Sequence, residues 1–231
     1  MVHNVLMSDL FEKNLAIFTS DEKDLLKEKK VLVVGCGGLG GSVIELLARS
    51  GIGRLVLADM DVFEPSNMNR QILCTVDTLG KGKAETAAAR VLSINPEADV
   101  QAVTERLSED NAPGLIRDCD IVIDALDSVA SRLMLEEACA KENKYLIHGA
   151  VSGFALQIGV CPPGSGMLQT LYGGKNATAH AGGGIAMTVF SCASFEVSEA
   201  IKILLGRPDS LSGNFLFFDL LSKESQIIPM L

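Results

Sequence analysis

Apolar residues along this chain come as short solid runs separated by longer stretches of helical spacing. Val31–Val34, Leu55–Ala58 and Ile121–Asp124 are too short for buried helices, and their interiors carry no polar residue, the pattern of strands covered on both faces. Asp99–Thr104 and Tyr145–Gly149 read as two further strands. Between them, helical spacing predicts Ser42–Ser50, Lys81–Ile94, a short helix over Ser108–Arg117 capped by Ser108, and Val129–Lys141. Asn95-Pro96 closes the second of these. Residues 1–29 read as a helical lead-in: Met7–Leu15 is loosely amphipathic, and Thr19, Ser20 and Asp21 ahead of Glu22 can cap a helix ending at Lys29.

After Ala150 the pattern changes. Phe154–Val160 and Met167–Leu171 read as strands joined by the turn Cys161–Gly166. Tyr172–Gly184, glycine-rich and without periodicity, reads as a mobile loop long enough to be functional. Ile185–Leu205 has helical spacing, with Glu196, Glu199 and Lys202 on its polar side, and Asn214–Asp219 with Ser225–Pro229 form a closing strand pair. Strands alternating with helices predict an α/β fold. The expected form is a Rossmann-like three-layer arrangement, a mainly parallel sheet with an antiparallel C-terminal portion, in one domain over 1–231.

Composition narrows the function classes. The 231 residues are 48% hydrophobic and 21% charged, as in a globular protein with a full core. A net charge of −9 argues against general nucleic-acid binding, which needs a basic surface. Neither a membrane-spanning run of about 18 apolar residues nor a signal peptide is apparent, so a cytoplasmic location is expected. The six cysteines are scattered with no C-x-x-C pair and read as small buried residues in a reducing compartment.

The candidate chemistry starts at Lys30–Asp61. Gly35, Gly37, Gly38, Gly40 and Gly41 stand between the first apolar run and the first sheet-covering helix, and Asp59 ends the next run about 20 residues on. Glycines let backbone approach a phosphate, a helix start offers free N–H groups, and an acid at the second strand tip can accept ribose hydroxyls. A strand–helix turn can also be glycine-rich only to pack the helix, but both flanking strands and the acid favour a nucleotide. In the following polar loop Arg70 is the one cation between Arg54 and Lys81, and a guanidinium matches phosphate oxygens bidentately. Lys81 and Lys83 open a helix where its dipole disfavours cations, a conflict that a bound polyphosphate would remove. Asp124 and Asp127 at a strand tip can coordinate Mg²⁺, although one of them can instead cap the next helix. His148, in an apolar strand, reads as a hydrogen-bonded core residue.

Taken together, the glycine turn, D-x-D at Asp59 and Asp61, S-N-M-N-R-Q at Ser66–Gln71, Lys83 and A-L-D-S at Ala125–Ser128 resemble the ThiF/MoeB/HesA superfamily, relatives of the ubiquitin-activating enzymes. The resemblance runs over about residues 8–220 and includes E-A-I-K-I-L-L-G at 199–206. It implies an adenylyltransferase that binds ATP and Mg²⁺ and activates the C-terminal Gly-Gly carboxylate of a ubiquitin-like sulfur-carrier protein, as in thiamine or molybdopterin routes, and it implies a homodimer. By the same resemblance Arg70, Lys83 and Asp127 are catalytic, with Asp127 on Mg²⁺. Gly38 and the helix start meet the phosphates, Asp59 the ribose, and Asn67, Asn69 and Arg70 surround the phosphates. Gly35, Gly37, Gly40, Asp61, Ser66, Gln71 and Leu126 complete the expected nucleotide-binding set.

Three positions depart from the superfamily pattern. Met167 and Thr170 stand where many relatives have a C-x-x-C zinc half-site, so zinc is not expected. The loop Tyr172–Gly184 has no cysteine for a persulfide or thioester, Thr178 lying near that position. Lys13 in F-E-K-N stands where relatives place an arginine that reaches the partner subunit's nucleotide. Two other readings compete: an NAD(P)-dependent oxidoreductase, suggested by the glycines and Asp59 alone, and a non-catalytic carrier-binding protein, suggested by the missing loop cysteine and zinc ligands.

Overall fold

A computed structural model describes residues 10–173 and 184–231. Its centre is an eight-stranded sheet in the order β3-β2-β1-β4-β5-β6-β7-β8. The strands β1 (Lys30–Val34), β2 (Arg54–Ala58), β3 (Asp99–Val103), β4 (Ile121–Asp124) and β5 (Tyr145–Ser152) pair in parallel. The strands β6 (Ala155–Cys161), β7 (Asn214–Asp219) and β8 (Ser225–Pro229) continue the sheet antiparallel. The expected parallel sheet with an antiparallel C-terminal portion is what forms.

Side chains alternate across a strand, so consecutive apolar residues feed two cores. Val31, Val33, Leu55, Leu57, Ile121 and Ile123 join one core. The α-helices α1 (Ser20–Glu28), α2 (Gly38–Arg49), α3 (Lys83–Ile94) and α7 (Ala186–Leu204) supply its other side. Leu32, Val34, Val56, Ala58 and Val122 point the opposite way, toward α4 (Ala112–Ile116), α5 (Val129–Lys141) and α6 (Met167–Tyr172). Helices on both faces are the reason the runs are solid rather than alternating.

The local signals in the lead-in hold where they can be seen. Thr19 Oγ1 accepts the Glu22 N–H at 3.2 Å and the Glu22 carboxylate accepts the Thr19 N–H at 2.9 Å, a reciprocal cap of α1. The predicted helix over Met7–Leu15 begins outside the described residues, and its remainder is a single tight turn, Glu12–Ala16. The loop expected at Tyr172–Gly184 lies mostly outside them as well, at 174–183.

Four expectations are corrected. Met167–Leu171 is helical, not a strand: α6 opens after Gly166 at φ 63°, and its first donors, Leu168 N–H and Gln169 N–H, are taken by the Glu136 carboxylate at 2.7 and 2.9 Å. An acid from a different helix thus caps α6, a long-range partner that no local pattern announces. The helix predicted from Ser108 starts later, at Ala112, because Ser108 and Asn111 close a turn on each other first. Glu196 and Glu199 of α7 are 0% and 3% exposed rather than on a solvent face, since α7 packs between α2 and the sheet. Asp124 is 0% exposed and hydrogen-bonded inside the protein, which removes it as a Mg²⁺ ligand. The six cysteines are all buried thiols, as expected, and burial pushes Cys119 up to about 11.

Candidate functional site

The sheet runs β1 to β3 in one direction and returns at β4, so a crevice opens where the carboxyl ends of β1 and β4 part. A cleft of about 1110 Å³ lies there. Its floor is the turn from β1 into α2. Gly35 sits at φ 94°, and a Cβ on it would lie 2.6 Å from the Ala125 carbonyl oxygen. At Gly40 a Cβ would lie 1.7 Å from the Gly35 carbonyl oxygen. These two glycines therefore let α2 and the β4 end close on the turn, while Gly37 and Gly38 at the start of α2 face the cleft with Gly35. Gly40 does not line it, which moves that residue from the ligand surface to helix–strand packing.

Asp59, at the tip of β2, lines the cleft half-buried. Its Oδ2 accepts the Cys36 N–H at 2.7 Å and its Oδ1 accepts the Asp61 N–H at 2.8 Å. Each oxygen keeps a lone pair for a further donor, and both anchors fix the carboxylate against the glycine turn. The side chain is thus preset beside the start of α2.

Arg70 and Lys83 face the same cleft. The Arg70 Nη1 donates to the Ser66 carbonyl at 3.0 Å and to Asn69 Oδ1 at 2.8 Å. Ser66, Asn67 and Asn69 do not line the cleft. Asn67 is buried and its Oδ1 accepts the Glu64 N–H, closing the tight turn Pro65–Asn67, whereas Ser66 and Asn69 steer the guanidinium. Gln71, buried except at its cleft side, stacks its amide 3.4 Å from where a Gly37 Cβ would be.

Lys83 is the first residue of α3, and its ammonium lies 3.1 Å from Asp61 Oδ2. Asp61 also accepts the Lys83 N–H through its carbonyl. The conflict expected between this cation and the helix dipole is therefore balanced by Asp61, so Lys83 does not by itself demand a bound anion. It still stands at the cleft wall with three donors, one of them used by Asp61.

The opposite wall is the turn from β4 into α5, where Leu126, Asp127 and Ser128 line the cleft. Asp127 is exposed, and Ser128 rather than either aspartate caps α5, accepting the Ser131 N–H at 3.1 Å. Among the described residues no group of three or more His, Cys, Asp or Glu side chains forms a metal cluster. One exposed carboxylate facing the cleft suits Mg²⁺, which keeps most of its waters and takes one or two carboxylates with substrate phosphates.

Several cleft residues carry no signal of their own in the sequence. Glu105, Arg106 and Leu107 follow β3, and Ala150–Ser152 extend β5 beyond its predicted end. The topological rule that ligands bind past strand carboxyl ends would have pointed to both. Arg132, Gln157 and Tyr172 also line the cleft; Gln157 and Tyr172 meet His148 below it, and Arg132 donates to the Tyr172 hydroxyl. His148 is 0% exposed, and burial holds it below the ordinary imidazole range although Asp124 opposes this. It is the hydrogen-bonded core residue expected, not a group facing the cleft.

No helix among the described residues is long and apolar enough to cross a membrane. The chain is 33% identical over 209 residues to the SAMP-activating enzyme E1 of Haloferax volcanii, covering 88% of this chain and 77% of that protein. It is 34% identical over 215 residues to the sulfur carrier protein adenylyltransferase of Thermus thermophilus, covering 87% and 79%. Other curated relatives are matched over only about half their length. Among solved structures, the microcin C7 biosynthetic enzyme MccB in complex with N-formylated MccA superposes with a TM-score of 0.79 at 24% identity, over 90% of this chain and 67% of that one, a likeness of fold. Residues 11–230 match the ThiF family, and with the glycine turn, Asp59, Arg70, Lys83 and Asp127 converging on one cleft, the chain belongs to that family.

Proposed function

We propose that this chain is an ATP-dependent adenylyltransferase that activates the C-terminal glycine carboxylate of a ubiquitin-like sulfur-carrier protein. The observation that carries the reading is the convergence of Arg70, Lys83 and the α2 start on one wall of the cleft and Asp127 on the other. The relatives named as activating enzymes and carrier adenylyltransferases support the substrate class. So does the space: about 1110 Å³ exceeds the roughly 300–1,000 Å³ of a small-ligand site, leaving room for a chain end beside a nucleotide.

In the reaction a carrier carboxylate oxygen attacks the α-phosphorus of ATP, the bond to the β-phosphate bridging oxygen breaks, and pyrophosphate leaves with its electron pair. The product is the carrier acyl-adenylate. No protein nucleophile is required, so the chain's work is positioning and charge stabilisation. Asp59 accepts ribose hydroxyls, and the Gly35–Gly38 turn with the free N–H groups of α2 cradles phosphate oxygens. Arg70, using one nitrogen for Ser66 and Asn69, has its remaining donors for the phosphoryl group in transit, and Lys83 adds charge from the same wall. Asp127 would hold Mg²⁺, which would offset phosphate charge.

The same reading takes residues 1–231 as one adenylation domain working as a cytoplasmic homodimer, with Lys13 toward the neighbouring subunit. Zinc is not part of it, Met167 and Thr170 standing at the first half-site. An NAD(P) oxidoreductase would leave Arg70 and Lys83 together in the cleft without work. ATP–pyrophosphate exchange that depends on a Gly-Gly-ended carrier, with the adenylated carrier seen by mass spectrometry, is the expected result. Tight NAD binding by calorimetry without ATP binding would reverse the assignment, and carrier binding without adenylate would make the chain a binding protein.

A further inference from the structure

Below the Asp127 wall lies a polar network that the adenylation chemistry does not use. Asp124 ends β4, and its Oδ1 accepts the Leu126 N–H at 2.9 Å while its Oδ2 lies 2.6 Å from His148 Nδ1. The Leu126 carbonyl accepts Arg132 Nε at 3.0 Å and Nη2 at 2.5 Å. Both backbone polar groups of the residue preceding Asp127 are thus held by side chains rather than by strand or helix. The Asp127 carboxylate has no hydrogen-bond partner of its own among the described residues, so its direction follows from the backbone of this turn.

The carboxylate sets the roles along the network. The Asp124 carboxylate accepts, so His148 Nδ1 donates to it, and Nε2 must accept. The Tyr172 hydroxyl lies 3.0 Å from that Nε2 and the Gln157 amide nitrogen 3.1 Å, and of the two the hydroxyl is the one that also links onward to Arg132. The phenol oxygen then accepts Arg132 Nη1 at 3.3 Å and the Gln157 amide. Arg132 also lies over the Tyr172 ring, 5.7 Å from its centre. Tyr172, at the end of α6, is therefore one link from His148 on one side and one link from the Arg132 fork on the other.

We infer that Tyr172 is a positioning residue: through His148 to Asp124, and through Arg132 to the Leu126 carbonyl, its hydroxyl fixes the Leu126–Asp127 turn at the cleft wall. The inference rests on the proposed role of Asp127 as the Mg²⁺ ligand for its kinetic consequence, but not for the mechanical one. Without the hydroxyl, His148 Nε2 keeps only the Gln157 amide as a donor and Arg132 Nη1 loses its acceptor, in a nearly dry environment. Arg132 and His148 are 9% and 0% exposed. The turn then samples other positions, and the metal-dependent step weakens while nucleotide recognition on the far wall is spared.

The test is Tyr172→Phe, with Arg132→Lys as the variant that keeps charge but loses the fork. In hydrogen–deuterium exchange of the full chain without nucleotide, a peptide covering 124–131 should exchange about 10-fold faster in Tyr172→Phe, the scale of one lost hydrogen bond, and faster still in Arg132→Lys. Peptides over 214–229 serve as the control for general loosening and should be unchanged. In ATP–pyrophosphate exchange, the Mg²⁺ concentration at half-maximal rate should rise by a similar factor with little change in the ATP KM. Unaltered exchange at 124–131 in both variants overturns the inference even if adenylation is confirmed. Faster exchange there in a protein that never makes adenylate upholds the network and refutes the assigned reaction instead. A change spread equally to 214–229 reduces Tyr172 to a stability residue and overturns the positioning role.

Discussion

Arg70 and Arg132 face one cleft from opposite walls, yet the structure spends them differently. Arg70 is tied by a single nitrogen to partners one and four residues away, Asn69 and Ser66, and the rest of its guanidinium is unused among the described residues. Arg132 is nearly buried, gives three nitrogens to Leu126 and Tyr172, and lies 3.7 Å from the Asp124 carboxylate. The first is presented and the second is consumed. A cation offered to a ligand is aimed by weak local contacts that leave donors spare, whereas a cation that shapes the wall is saturated by partners distant in the chain.

The contrast predicts opposite outcomes for similar truncations. Arg70→Ala should cut carrier-dependent ATP–pyrophosphate exchange by about 100-fold, the usual cost of removing one donor from a developing charge, and leave the unfolding midpoint in denaturant unchanged. Arg132→Met should do the reverse in order of cause: it leaves Asp124 buried beside a neutral side chain and costs about 3 kcal/mol of stability, with activity lost through the wall. If Arg70→Ala destabilises the protein and Arg132→Met does not, the two roles are exchanged.

Glu196 sharpens the buried side. It is 0% exposed, neither carboxyl oxygen has a hydrogen-bond partner among the described residues, and its Cδ would lie 2.4 Å from a Cβ on Gly149. Burial first, and then the Asp124 charge, raises its pKa well above the ordinary value, with Arg132 opposing. The folded chain therefore holds this proton more tightly than the unfolded chain. Such a group gives its full stability below the unfolded pKa and loses it as pH rises toward the folded one. Across that window the wild type should lose up to about 1.4 kcal/mol per pH unit on this account. Glu196→Gln should remove the slope, making the variant the more stable protein at neutral and alkaline pH and not near pH 4. Denaturant unfolding of both between pH 4.5 and 8 reads it directly, and parallel curves would mean that Glu196 is not neutral in the fold.

What local sequence reveals follows the same division. The strands were readable because solid apolar runs have one good fate between two helical layers, and the glycine turn, Asp59 and Arg70 were readable because their partners lie within a few residues or on the adjacent strand. The α6 segment reads as a strand in the sequence because its cap, Glu136, comes from another helix. Glu196 and Glu199 were misassigned because helical spacing locates a polar stripe but not the second element that covers it. Asp124 looks like a metal ligand in the sequence because its partner in the fold, His148, is brought to it only by the β4–β5 pairing. Positions whose roles are set by such pairings have no local pattern to betray them, and the whole network of Asp124, His148, Arg132, Gln157 and Tyr172 is of that kind.

The smallest expected effect tests whether local aiming matters at all. Asn69 is exposed, touches the cleft with no atom, and contributes only the 2.8 Å contact to Arg70 Nη1. Asn69→Ala leaves the Ser66 carbonyl as the one anchor, and a half-freed guanidinium must then be ordered by the ligand itself. A single surface hydrogen bond is worth about 1 kcal/mol, so the exchange rate should fall about 5-fold while stability holds. Combining it with Arg70→Ala should add nothing, because the steering residue acts only through the one it steers. A further loss in the double variant would mean that Asn69 meets the nucleotide directly, and the presented wall would then be wider than Arg70, Lys83 and the glycine turn.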